Sequence, residues 1–156
     1  MIRIISGGQT GVDRMALELA KEMGITTGGY APKGYLTENG PDLSLKEFGL
    51  EETETESYPY RTKKNLLLAS GTILFGDINS RGSQLVIKYC TTRFHPFIIN
   101  PTSGEIIDYI NNLKELNKDD NVILNIAGNR GSKISKDELQ YYKVILKVAL
   151  KEFQNE

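Results

Sequence analysis

The sequence predicts an α/β domain: a Rossmann-like, doubly wound parallel sheet of about five strands with helices on both faces. Three observations carry this. Short apolar runs recur along the chain, each followed by glycine within a few residues. Amphipathic helical patterns alternate with those runs, and two of the strand-to-helix junctions are rich in glycine. The 156 residues are read as one domain, 1–156, with no repeat, low-complexity tract or break in composition.

The clearest strands are Ile2 to Ser6, Gly71 to Phe75 and Val122 to Ile126; Ile25 to Tyr30, diluted by glycine, and Pro96 to Asn100 are weaker. The first helix runs from Gly11 on the apolar positions Val12, Ala16, Leu19 and Met23, and Gly24 stops it. The second spans Tyr58 to Ala69, with Ser57 as its cap and Pro59 in its first turn. Leu85, Val86 and Tyr89 mark the third. Thr102 with Glu105 forms a capping box before the fourth, and Ser135 with Glu138 repeats it before the fifth. Right-handed crossovers favour strand order 2-1-3-4-5, placing a ligand crevice between the first and third strands. Residues 31–56 are too long for a simple connection and read as an irregular excursion over the sheet's edge or rim.

Composition narrows the function. Hydrophobic residues make up 39% and charged residues 25%, as in ordinary globular chains. Nineteen basic against twenty acidic residues leave a net charge of −1, which offers no general attraction to nucleic acid or an anionic membrane. Anion binding would therefore be local. Cys90 and His95 are the only residues of their types, so no internal disulfide and no Cys/His metal cluster can form. Cys90 reads as a core residue and His95 as structural. There is no long apolar run or signal-like start, which leads to the expectation of a cytoplasmic protein.

The first strand runs through Ser6, Gly7, Gly8, Gln9, Thr10 and Gly11 straight into a helix. Glycines let the backbone approach a ligand, and free amides at a helix start favour an anion. A tight turn with Thr10 as cap uses the same residues, and helix capping is the favoured role for Asp13. The third strand ends in Gly76-Asp77-Ile78-Asn79-Ser80-Arg81-Gly82-Ser83, again at a helix start, and the two loops together are expected to form one anion site. Arg81 is a candidate clamp or a solvated side chain. A third loop, Ala127 to Lys133, includes Arg130. In the favoured order it lies roughly 14 Å from the first loop. Either the ligand is long, or Arg130 reaches back, or the loop serves a subunit contact. Arg61 and Asn65 share a helix face with Thr62, either at the crevice or in solvent, whereas Lys63 and Lys64 read as solvated. Lys33 follows the second strand and is also placed for an anion. Tyr58 and Tyr60 are candidates to stack on a ring or to pack in a lid.

Ile5 to Arg14 resembles the opening of the putative molybdenum carrier family, within the Rossmann-like LOG- and DprA-related (SLOG) group. The likeness continues through Gly28 to Gly34, then Glu52, Thr53, Ser57, Tyr58, Arg61, Thr62 and Asn65. It extends to Thr72, Arg81 to Ser83, and Leu124 to Gly128 with Arg130. Two loops depart from the family pattern. Arg81-Gly82-Ser83 stands where Gly-Gly-Thr is usual, and Asn129 precedes Arg130-Gly131-Ser132 where Pro then Arg-Glu-Ser is usual. The resemblance implies a Rossmann-like fold that holds a phosphate-bearing small ligand, molybdenum cofactor (a phosphorylated pterin) or a nucleotide. The ligand residues would be Gly7, Gly8, Gln9, Thr10, Gly11, Lys33, Arg61, Asn65, Arg81, Gly82, Ser83 and Arg130. A homo-oligomer is also expected. The rival reading is a nucleotide phosphoribohydrolase-like enzyme that cleaves an N-glycosidic bond. Residues 81–94, however, carry no carboxylate, which leaves Asp13 and Asp77 as conceivable substitutes. A sensor of a nucleotide-derived signal is a third reading that the sequence does not separate from a carrier.

Overall fold

The computed structural model describes residues 1–155. Strand β1 (Ile2–Ile5) leads into helix α1 (Val12–Glu22) and then β2 (Thr26–Gly28). Next come β3 (Tyr30–Ala31), the hairpin strands β4 (Leu36–Thr37) and β5 (Gly40–Pro41), a 3-10 turn at Leu43–Phe48, and β6 (Glu51–Glu52). Then follow α2 (Tyr58–Leu68), β7 (Gly71–Phe75), α3 (Arg81–Arg93), β8 (Phe97–Ile99), α4 (Ser103–Asn117), β9 (Val122–Gly128) and α5 (Lys136–Lys151).

The central sheet is parallel and ordered β2-β1-β9-β7-β8. The Rossmann-like α/β class is therefore as expected, but the order 2-1-3-4-5 is not. The last strand inserts between the first and third instead of lying at the far edge. A central strand must be apolar on both faces, and Val122 to Gly128 is the longest strand, with every residue at least half-buried. Handedness alone could not reveal this, because each crossover can be right-handed in either order.

The two faces of the sheet differ. One face presents Ile2, Ile4, Ile73, Phe75, Leu124 and Ile126 to α1, α4 and α5 and forms the main core. The other is covered by α2 and α3, where Leu66, Leu74, Val86, Tyr89 and Cys90 make a smaller apolar cluster. On that face Thr72 stands directly beside Asn125 across the strands. Burial raises the Cys90 thiol pKa to about 11, as suits an inert core residue.

The predicted stretch Ile25 to Tyr30 divides into two. Gly29 adopts φ +116°, where a Cβ would lie 2.4 Å from the Ser6 carbonyl oxygen. The chain turns there, and Tyr30–Ala31 pairs with Glu51–Glu52 instead of extending the main sheet. The excursion that follows has its own core of Leu17, Ala31, Tyr35, Leu45, Phe48 and Leu50, which seats it against α1. The caps of α2, α3, α4 and α5 are Ser57, Ser80, Thr102 and Ser135, and Thr102 with Glu105 makes the full reciprocal box. Among the described residues no helix is long and apolar enough to cross a membrane.

Candidate functional site

The loops after β1, β9 and β7 lie side by side at the carboxyl edge of the sheet, with the β9 loop in the middle. The distance expected to isolate residues 127–133 therefore disappears. Gly11 adopts φ +82°, and a Cβ there would lie 2.4 Å from the Asn129 carbonyl oxygen, so glycine is required by the close approach of this middle loop. The Val12 amide donates to that same carbonyl at 3.1 Å, and the Gly131 amide donates to Thr10 Oγ1 at 2.9 Å.

Three amides of the first glycine loop turn inward. Gly8 N–H points to Ser6 Oγ (3.4 Å), Gln9 N–H donates to Asp13 Oδ2 (3.2 Å), and Thr10 N–H donates to Gln9 Oε1 (3.0 Å). The protein's own Asp13 carboxylate thus takes the Gln9 amide, where an anion would otherwise bind, whereas the Gly11 amide has no partner among the described residues. Neither Thr10 nor Asp13 caps α1, whose N-cap residue is Gly11, with no side-chain cap bond. Thr10 Oγ1 donates to Glu38 instead.

Arg61 is buried, donates to the Gly7 carbonyl, and has Nη1 3.7 Å from Asp13 Oδ2. Burial raises the Asp13 pKa to about 6, against the opposing effects of the Arg61 charge and the Gln9 and Gly7 amides. The same burial lowers the Arg61 pKa, while the Asp13 charge opposes it. Arg61 Nε is buried with no partner among the described residues. Asn65 is committed to the backbone of Tyr30, accepting from its amide (2.8 Å) and donating to its carbonyl (3.0 Å). Both residues thus hold the first loop and the chain after β2 in place.

The loop after β7 is arranged differently. Ser80 caps α3 by accepting the Ser83 amide at 3.2 Å, and the amides of Arg81 and Gly82 have no partner among the described residues. Asn129 grips this loop from the neighbouring strand, accepting from the Asp77 amide (2.7 Å) and donating to the Asp77 carbonyl (3.0 Å). Glu38, at the tip of the excursion's hairpin, ties the other side together. Its amide donates to Gln9 Oε1 at 2.9 Å, and its carboxylate accepts from Ser132 N–H at 3.1 Å and lies 3.8 Å from Arg130 Nε. Burial raises the Glu38 pKa, but the hydrogen bonds from Ser132 and Thr10 and the Arg130 charge outweigh it, so the pKa lies below its usual value.

Between α2 and α3, above the ends of β7 and β9, lies a cavity of about 940 Å³. The cationic groups Arg61, Arg81, Arg130 and Lys133 line it, against Asp13 and Asp77. Of the residues expected at the site, Gly7, Gln9, Arg61, Asn65, Arg81, Gly82, Ser83 and Arg130 line this cavity. Gly8, Thr10, Gly11 and Lys33 do not. The first three are used in packing between loops, and Lys33 is exposed on the excursion. Sequence reasoning missed Asn125, Asn129 and Lys133 in the lining, and Glu38 behind it. Asn125 was detectable as a polar residue in the middle of an apolar strand. Glu38 carried no local signal, because its partners are 28 or more residues away.

Comparison with known proteins accords with this geometry. The model of the circularly permutated YpsA SLOG family matches residues 4–149. A crystal structure of a putative molybdenum carrier protein from Syntrophus aciditrophicus SB is 34% identical, with 95% of this chain and 94% of that one covered and a TM-score of 0.79. No curated protein matches. With the parallel sheet, the three adjoining loops and a family match over nearly its whole length, the chain belongs to the circularly permutated YpsA SLOG family.

Proposed function

We propose that this protein binds a phosphate-bearing small molecule in the cavity between α2 and α3, and that it is a carrier or sensor. One observation carries the reading: the unpaired Arg81 and Gly82 amides open α3 at the rim of a cavity whose charged lining has four cations against two carboxylates. Phosphate oxygens would take those amides, with Arg81 and Lys133 beside them. Arg130 would exchange its long contact with Glu38 for the ligand. The name of the crystallographic relative points to molybdenum cofactor as the ligand. The site suits such a molecule in size, and the buried, unpartnered Arg61 Nε leaves a donor beside the cavity for a polar group. When bound, the cofactor would bring a pterin, a phosphate and a molybdenum-oxo group, while the chain would bind and shield it.

Titration calorimetry with inorganic phosphate and ribose 5-phosphate tests phosphate binding, and binding that Arg81→Ala weakens supports it. Absence of binding to either at millimolar concentration overturns it. Elemental analysis for molybdenum, with pterin fluorescence of protein taken from a cofactor-producing cell, tests the finer identity. A pterin signal without molybdenum, or neither, overturns it.

The hydrolase reading keeps one favouring observation: Asp13, with its pKa raised to about 6, lines the cavity with Asp77. Yet the Asp13 carboxylate is held by the Gln9 amide and faces Arg61, an arrangement for bracing a loop and not for directing water. Release of free base from a nucleoside monophosphate, lost in Asp77→Ala with the fold intact, would decide for the enzyme.

A further inference from the structure

We propose that Asn125 sets the specificity of this site by reading the donor–acceptor edge of a purine-like ring, an inference that rests on the binding reading above. Asn125 lies on β9 three residues before Gly128, so its side chain sits on the order of 10 Å below the strand's end, where the middle loop begins. It lines the same cavity as the cationic rim, although only 3% exposed.

The position is an unusual one for an amide. Its cross-strand neighbours are Ile5 and Thr72, and a central parallel strand normally carries aliphatic residues there. One N–H points to Thr72 Oγ1 at 3.3 Å, and Oδ1 accepts no hydrogen bond among the described residues. Asn65, on the helix above, is the contrast, with both ends of its amide engaged by Tyr30. Asn125 thus keeps one N–H and one carbonyl oxygen free at the cavity wall. That pair is complementary to a ring edge bearing an acceptor beside a donor, as adenine and guanine do, and pterin shares guanine's edge. An anionic group at the rim and a ring at Asn125 would place an extended ligand along the cavity, with Leu74 and Val86 supplying apolar wall.

The test compares adenosine and guanosine 5′-monophosphates with ribose 5-phosphate, which carries the phosphate and sugar without the ring. At least one nucleotide should bind about tenfold or more tighter than ribose 5-phosphate. Asn125→Leu should remove that advantage while leaving ribose 5-phosphate binding unchanged. Asn125→Asp provides an independent reading, because a carboxylate accepts from two donors. It should favour guanine over adenine, raising that ratio about tenfold or more. If the nucleotides bind no better than ribose 5-phosphate, or if neither variant changes the ratios, the inference is overturned while phosphate binding stands. If none of the three molecules binds, the binding reading fails as well.

Discussion

The loops that open α1 and α3 both carry glycine next to a helix start, yet only the first has a side-chain carboxylate drawn into it. The first gives the Gly8, Gln9 and Thr10 amides the acceptors Ser6, Asp13 and Gln9, with Arg61 holding the Gly7 carbonyl, and leaves the Gly11 and Asp13 amides without a partner among the described residues. The second caps itself economically through Ser80 and leaves the Arg81 and Gly82 amides unpaired at the cavity. A glycine-rich helix start is therefore not in itself a ligand site; what matters is whether a side chain already occupies the place of the anion.

Breaking the Asp13–Arg61 pair should have the largest effect. Arg61→Leu leaves a buried carboxylate without its cation and the Gly7 carbonyl without its donor, and should cost about 3–5 kcal/mol in urea unfolding. A loss below about 1 kcal/mol would mean that the first loop does not depend on this brace. The pH dependence of the same pair comes next. Burial raises the folded-state pKa of Asp13 from 3.8 to about 6, so folding takes up a proton between those values. The contribution of this group is then greatest below pH 4, falls as pH rises towards 6 and is level above, by about 3 kcal/mol at most. Unfolding measured from pH 4 to 7 should show this component in the native protein and lose it in Asp13→Asn.

Arg81→Ala should weaken ribose 5-phosphate binding about tenfold to a hundredfold without moving the unfolding midpoint, as expected of an exposed group at the rim. A shift in stability with unchanged affinity would reverse the roles of the two loops. The smallest and most direct comparison is between the glycines themselves. Gly11→Ala meets the Asn129 carbonyl at a positive φ and should cost more than about 1 kcal/mol. Gly82→Ala meets nothing within 4 Å and lies in the first turn of α3, so it should be neutral or stabilising by up to about 1 kcal/mol. Circular dichroism melts of the two variants read this difference.

Local elements were legible in the sequence because their causes are local. Apolar periodicity placed the five strands of the central sheet and the five α-helices, though not the four short strands outside that sheet, and Ser57, Thr102 and Ser135 marked helix starts through bonds spanning three residues. The glycine-bearing helix starts, with Arg81, Gly82 and Arg130, were legible as candidates for the same reason, although Gly8, Thr10 and Gly11 do not line the cavity. Only the tertiary structure decided where the last strand sits, and with it which loops are neighbours. A circular permutation changes the chain order of strands without moving them, so position in sequence says little about position in the sheet. It also decided which amides remain free, because their acceptors are supplied by side chains that the fold brings in. Asp13 faces Arg61 across 48 residues of chain, and Glu38 reaches Ser132 across 94. No local pattern encodes such pairings, since they arise only when packing brings distant loops to the same edge of the sheet.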